Sequence, residues 1–200
     1  MIKQKQALYL TALLAAFLLT ACAPKVTLFG NGAAPLKEFT VSGKGKQKLL
    51  VITVRGTISH LPKQRFMGSS PSMVERIVAQ LNKAEKDETV RGVLFKIDSP
   101  GGSTTASDIL YHEIESFKQR TGKAIAVSML NVAASGGYYI SLPADLIMAH
   151  PTTVTGSIGV IFARPRVSGL LEKVGVGVTV NKSGENKDMG SPFRTPTIIE

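Results

Sequence analysis

The segment AASGGYY, residues 133–139, sets a single hydroxyl, that of Ser135, between two alanines and two glycines. Small neighbours on both sides let a substrate carbonyl approach the hydroxyl oxygen, a freedom that a serine used for packing or turning does not need. Two more glycine-bearing turns follow apolar runs, DSPGGS at 98–103 and VTGSIGV at 154–160. Backbone amides at such turns can act as preorganised donors to a developing oxyanion, because nothing on Cα blocks the approach. Gly101 and Gly102 suit that role, and Gly136, next after Ser135, could supply a second amide. Taken singly, each turn reads more readily as a plain tight turn; their recurrence in one domain favours a site. None has the spacing G-x-x-x-x-G-K-S/T or G-x-G-x-x-G, so no nucleotide cofactor is expected.

A serine nucleophile needs a proton acceptor. The chain has three histidines. His60 lies in a polar loop, His112 in a helical stretch and His150 at the end of an apolar run; each also reads as a structural or solvated residue. AASGG imitates the G-x-S-x-G elbow, and His150 with Asp145 or Asp188 could complete a triad. In that elbow the acid and then the histidine follow well downstream, and no histidine follows His150. Lysine is the other candidate. The polar segment NKSGENKDMGSPF at 181–193 holds Lys182 and Lys187. An ordinary lysine titrates near pH ~10.4, so a base role requires a drop of about two to three pH units, or about 3–4 kcal/mol of differential solvation. Without burial, both read as solvated loop lysines.

The elements that must position these residues follow from periodicity. LLVITVRG from Leu49 reads as a buried strand, and Ser70 to Lys86 as a helix, with Ser72 and Glu75 at capping-box spacing and Val74, Ile77, Leu81 and Ala84 on one face. Strand GVLFKID precedes the SPGG turn, and a helix over about Thr104–Gln119 follows it with Ile109, Leu110, Ile114 and Phe117 inward. Strand KAIAVSML leads to the Ser135 segment, which starts a helix. Strands DLIMAH and IGVIF, helix RVSGLLEKVG and strand VGVTVN complete the series. Strands alternating with helices imply an α/β domain with right-handed crossovers, whose strand-end turns are where such folds place ligands.

Composition bounds the rest. Two hundred residues with 44% hydrophobic content fit one globular domain. The net charge of +10 is scattered and not interleaved with stacking aromatics, which argues against nucleic-acid binding and suits anionic lipid headgroups. Residues 1–22 read as an export signal: Lys3 and Lys5 precede an apolar run over 7–19 that is short for a bilayer span. Leu19-Thr20-Ala21-Cys22 resembles a lipobox, which makes Cys22, the single cysteine, a lipidation site and resolves the problem of an unpaired thiol in an exported protein. Residues 23–48, rich in Gly, Pro and Lys, read as a flexible tether, and residues 49–200 as the folded domain.

IDSPGG, AASGGYYIS with AD shortly after, TGSIGV and KSGENKD, in this order, resemble bacterial signal peptide peptidase A, a serine–lysine protease family of the Clp protease/crotonase superfamily. The resemblance runs from about Leu49 to the C-terminus. It implies stacked ββα units, Ser135 as nucleophile, Lys187 rather than Lys182 as general base, Gly102 and Gly136 as oxyanion-hole glycines and Ser157 as the residue that orients the lysine amine. It implies no metal and no cofactor, homo-oligomeric rings, and degradation of apolar peptides, cleaved signal peptides included, at a membrane. Relatives use a transmembrane helix where this chain has the lipobox, so the expected place is the cell envelope, anchored by lipid, with the catalytic domain outside the cytoplasm. Relatives also continue into further helices after the base, so the resemblance implies a chain truncated at its C-terminus. Asp188 beside the base bears on its chemistry, since a carboxylate facing the amine would hold it charged. The sequence therefore supports a serine endopeptidase, with two rivals: a serine esterase using His150, and a non-catalytic peptide-binding lipoprotein of the same fold.

Overall fold

The computed structural model describes residues 36–65 and 68–198. The expected signal sequence, the Cys22 lipidation site and the first part of the tether lie outside the described residues. Residues 36–47 form no helix or strand, and Glu38 there bridges Lys48 (3.2 Å) and Lys83 (3.3 Å). No helix among the described residues is long and apolar enough to cross a membrane.

Backbone contacts divide the chain at Ile158/Gly159 into two units. The first is built on a parallel sheet. Strand β1 (Lys48–Arg55) is followed by a short hairpin, β2 (Lys63–Arg65) and β3 (Gly68–Ser70), and then by helix α1 (Met73–Lys86). Strand β4 (Val90–Ser99), helix α2 (Thr104–Thr121), strand β5 (Ala124–Ala134) and the single turn α3 (Gly136–Tyr139) come next, and β6 (Leu146–Ala149) and β7 (Val154–Gly156) close the unit. The sheet order is β1-β4-β5-β6, with β7 also on β5, and every pairing in it is parallel. The α/β, parallel-sheet class expected from the alternation is the observed one.

The helices form where the pattern demands. Ser72 caps α1 and the capping box is complete: Ser72 N–H donates to Glu75 Oε2 (2.7 Å) and Glu75 N–H to Ser72 Oγ (3.1 Å). The bond to Ser72 holds the Glu75 carboxyl below its usual range. The helix thus starts three residues later than expected, because Ser70 is taken up by β3. Val74, Ile77, Leu81 and Ala84 are buried as the period requires, and α2 buries Leu110, Ile114 and Phe117. Ile109 does not join them: it is 39% exposed, because Ala106 and Leu110 define the inward stripe. Both helices cover one face of the sheet, that of Ile52, Val54, Val93, Phe95, Ile97, Ile125, Val127 and Met129. At about 25 cal/mol per Å² of apolar surface, this single cluster is the main source of the unit's stability.

One irregularity sets up the site. The β4–β5 register jumps from Ile97↔Met129 to Ser99↔Ala133, so β5 carries two extra residues at its far end. Asp98 fills the gap, with Oδ1 accepting from Val132 N–H (3.4 Å) and Oδ2 from Arg55 Nε (3.3 Å). The bulge also divides β5's outer edge, so that β6 pairs with Ala126–Met129 and β7 with Val132–Ala134.

The second unit, from Gly159, has one short helix, α4 (Ser168–Lys173), and no strand among its described residues. The strands expected over IGVIF and VGVTVN are not formed. Their β-branched residues find no partner edge: Ile161 is 90% exposed and Val176, Val178 and Val180 about half exposed. The strand that pairs in that region is β7, just upstream of IGVIF.

Candidate active site

Ser135 is the residue at which β5 stops. Its backbone sits at φ 52°, ψ −121°, a conformation that costs a residue with a Cβ about 1–3 kcal/mol and persists only when the surroundings impose it. Here they do. The Ser135 N–H donates to Gly156 O (2.8 Å) and its carbonyl accepts from Tyr139 N–H (2.9 Å), so the chain turns from strand directly into α3. Among the described residues a single other non-glycine residue has positive φ, and it is Ser157 at 52°, next to the carbonyl that holds Ser135. Two of the site residues read from the sequence are thus the two strained ones.

The SPGG turn is packed against this elbow. A Cβ on Gly101 would lie 2.7 Å from Gly136 N and 2.9 Å from Ser135 Cβ, and Gly101 itself has φ +93°. A Cβ on Gly136 would run into Ser107 Oγ, a hydroxyl that is 3% exposed. The glycines therefore serve the close approach of the two turns. Gly102 bridges Ile58 in parallel fashion through its neighbours, with Ile58 N–H donating to Gly101 O and Ser103 N–H to Ile58 O, both 2.9 Å. In such a bridge Gly102's own N–H points away from Ile58. Neither it nor the Gly136 N–H has an acceptor among the described residues. Gly102 also precedes Ser103, the N-cap of the 18-residue helix α2, whose first turn carries no acidic residue, so the helix's positive end favours negative charge there.

Supporting residues that sequence reasoning missed hold this geometry. Ser99, fully buried, donates to Gly56 O (2.7 Å) and accepts from Gly101 N–H (3.1 Å), fixing the start of the turn. A serine directly before Pro-Gly was the available signal, since its hydroxyl commonly bonds the backbone two residues on. Tyr139 donates to Asp108 Oδ1 (3.0 Å) and stacks on Tyr111 at 4.7 Å, tying α3 to α2; the bond to Asp108 pushes the phenol's titration upward, so it stays a donor. No sequence spacing marks that pair.

The histidine alternative is not assembled. Asp145 gives its carboxylate to Lys118 (2.6 Å) and Ile125 N–H (2.8 Å) at the start of β6, whereas His150 follows the strand's other end and bonds Thr152 Oγ1 (2.8 Å). Bonding to Ile125 N–H, then to Lys118, holds the Asp145 carboxyl below its usual range. His150 follows Ala149, which pairs with Met129, while Gly156 pairs with Ala134. The residue before His150 thus pairs six residues before Ser135, on the other side of the β5 bulge. Asp188, the other acid considered, is engaged elsewhere.

Ser135, Gly102, Gly136 and Ser157 belong to the first unit and Lys187 to the second. Lys187 lies exposed in a run of turns, its N–H donating to Gly184 O (3.2 Å), and its amine has no partner among the described residues. Lys182 is committed: its ammonium donates to Asp188 Oδ1 (2.8 Å) and Glu185 O (2.7 Å). Asp188 is also gripped by Arg194, Nε to Oδ2 at 2.8 Å and Nη2 to Oδ1 at 3.1 Å. Arg194 first and Lys182 second hold that carboxyl far below its usual range. Among the described residues no group of His, Cys, Asp and Glu side chains is placed to hold a metal.

Residues 117–198 match peptidase family S49. The chain is 37% identical over 170 residues to an Enterococcus faecium protein assigned as signal peptide peptidase SppA, which covers 84% of this chain and 49% of that protein. It is 38% identical over 152 residues to Protease 4 of Haemophilus influenzae, covering 74% of this chain and 24% of that one. The chain thus spans half or less of these relatives' lengths. Among solved structures it is similar to a variant of the 1510-N membrane-bound stomatin-specific protease, with TM-score 0.48 and 20% identity over 62% of this chain and 53% of the other. The matched region, which carries both the Ser135 elbow and Lys187, is similar to peptidase family S49, and the chain is similar to the proteins named SppA and Protease 4.

Proposed function

We propose that this protein is a serine endopeptidase using Ser135 as nucleophile and Lys187 as general base. The observation that carries the reading is the strained Ser135 elbow with two unengaged amides, those of Gly102 and Gly136, at the turns packed beside it. Neutral Lys187 takes the hydroxyl proton as Ser135 Oγ attacks a peptide carbonyl, and the carbonyl oxygen becomes an oxyanion held by the two amides. The lysine then returns the proton to the leaving amine, and water activated by the same lysine clears the acyl-enzyme. Ser157 orients the amine. Its position next to Gly156, which binds the Ser135 backbone, supports that role.

Apolar peptides, cleaved signal peptides among them, are the proposed substrates, bound extended beside the site, with the protein held at the membrane of the cell envelope by a lipid on Cys22, outside the cytoplasm, as a homo-oligomer. The expected test is hydrolysis of an internally quenched apolar peptide by the full chain. Ser135→Ala and Lys187→Ala should each lower kcat by at least about a thousandfold, while His150→Asn stays within about twofold. Hydrolysis that survives Lys187→Ala and is lost in His150→Asn would favour the esterase-type arrangement. Hydrolysis absent from the unaltered chain would favour a peptide-binding module.

A further inference from the structure

The turn that carries Lys187 contains an unusual charge arrangement, set out entirely within the second unit. Asp188, next in sequence to Lys187, has a side chain only 11% exposed. Each of its oxygens is occupied: Oδ2 by Arg194 Nε (2.8 Å), Oδ1 by Arg194 Nη2 (3.1 Å) and by Lys182 Nζ (2.8 Å). Arg194 Nη2 reaches the Asp188 carbonyl as well (3.3 Å), and its Nη1 donates to Thr195 O (3.0 Å). These residues are spaced six apart, so the two cations close the segment 182–194 on the one carboxylate between them. Of the three lysine or arginine side chains in 182–194, two are thereby spent on Asp188 and Lys187 is left without a share in it.

We propose that Arg194, assisted by Lys182, is a positioning residue whose task is to keep the Asp188 carboxylate occupied and turned from the Lys187 amine, so that the amine can act as a base. This rests on the Ser135/Lys187 reading. The reasoning is electrostatic: a carboxylate within about 4–6 Å of an ammonium favours its charged form, and an adjacent residue in a turn is within that reach once its own partners are gone. A bidentate guanidinium fork is the group best suited to hold both oxygens at once. The clamp therefore differs from an ordinary loop anchor, since an anchor would be missed for its geometry, while this one would be missed for the charge it releases.

That difference can be measured with the full chain, by steady-state hydrolysis of an apolar peptide and thermal melting of each variant. Arg194→Met should lower kcat by about tenfold or more with KM within about twofold, the size expected when contacting residues couple. Adding Asp188→Asn should restore much of the loss, because the liberated carboxylate is gone. Lys182→Met should show a smaller loss of the same kind, also relieved by Asp188→Asn, and it serves if Arg194→Met melts too low to assay. Equal loss in Arg194→Met and in the double variant, or no loss in Arg194→Met, overturns the inference while leaving the dyad intact if Lys187→Ala is inactive. Full activity in Lys187→Ala overturns the dyad, and the clamp's role with it.

Discussion

The two regions named in the proposed chemistry are built by different physics. The Ser135 elbow is a steric construction: Gly101, Gly136 and Gly137 lie where a Cβ would strike backbone or a buried hydroxyl, and strand pairing on both sides of β5 holds Ser135 at positive φ. The Lys187 turn has no strand and no buried apolar residue, and its least exposed charge is a carboxylate shared by two cations. A nucleophile must be placed to within tenths of an ångström relative to its oxyanion donors, which close packing achieves. A base must be kept at a given charge, which is an electrostatic matter. The first region should therefore respond to changes of volume and the second to changes of charge.

The largest effect that would break this contrast lies in the elbow. Gly136→Ala keeps every charge yet puts a methyl group onto Ser107 Oγ. Overpacking of this kind costs typically about 1–3 kcal/mol of stability, and the displacement of the adjacent amide should remove most peptide hydrolysis; melting and kcat together check it. If Gly136→Ala hydrolyses peptide at the original rate, the steric account of the elbow is wrong. Next in size is the Arg194 series described above, where volume is nearly kept and charge is removed.

A pH series sharpens the comparison further. The Asp188 carboxyl is depressed in the folded protein by Arg194 and then Lys182, so its contribution to stability is present above its unfolded pKa, near ~3.9, and is lost as pH falls through the lower folded value. The melting-temperature difference between the unaltered chain and Asp188→Asn should thus be present at neutral pH and shrink steadily below about pH 4. A difference that grows on acidification would contradict it. The smallest effect is a control outside both regions: Ser72→Ala should cost about 1 kcal/mol through the lost capping box and leave kcat unchanged.

Much of the first region was legible in the residues. Period-3.6 apolar spacing located α1 and α2, Ser72 and Glu75 located the start of α1, and bare neighbours located Ser135. What was not legible depends on pairing across distance. The β5 bulge with Asp98 in it exists because of β4, and Ser135's positive φ exists because Gly156 returns to β5; neither leaves a local signature. IGVIF and VGVTVN have strand composition and no edge to pair with, which composition cannot reveal. Ile109 was assigned inward by its apolarity, while the stripe actually runs through Ala106. Position in a polar loop did not distinguish Lys187 from Lys182, which only the family resemblance told apart; the bond of Lys182 to Asp188 had no signal in the sequence.

The central claim is that Ser135 is an activated nucleophile whose proton goes to Lys187. Its most direct test is intact-mass analysis of the full chain after exposure to a peptidyl phosphonate. The account predicts one adduct, mapped to Ser135, in the unaltered protein and at least about a hundredfold slower labelling in Lys187→Ala. Equal labelling rates in the two proteins, or an adduct on any other residue, would contradict it.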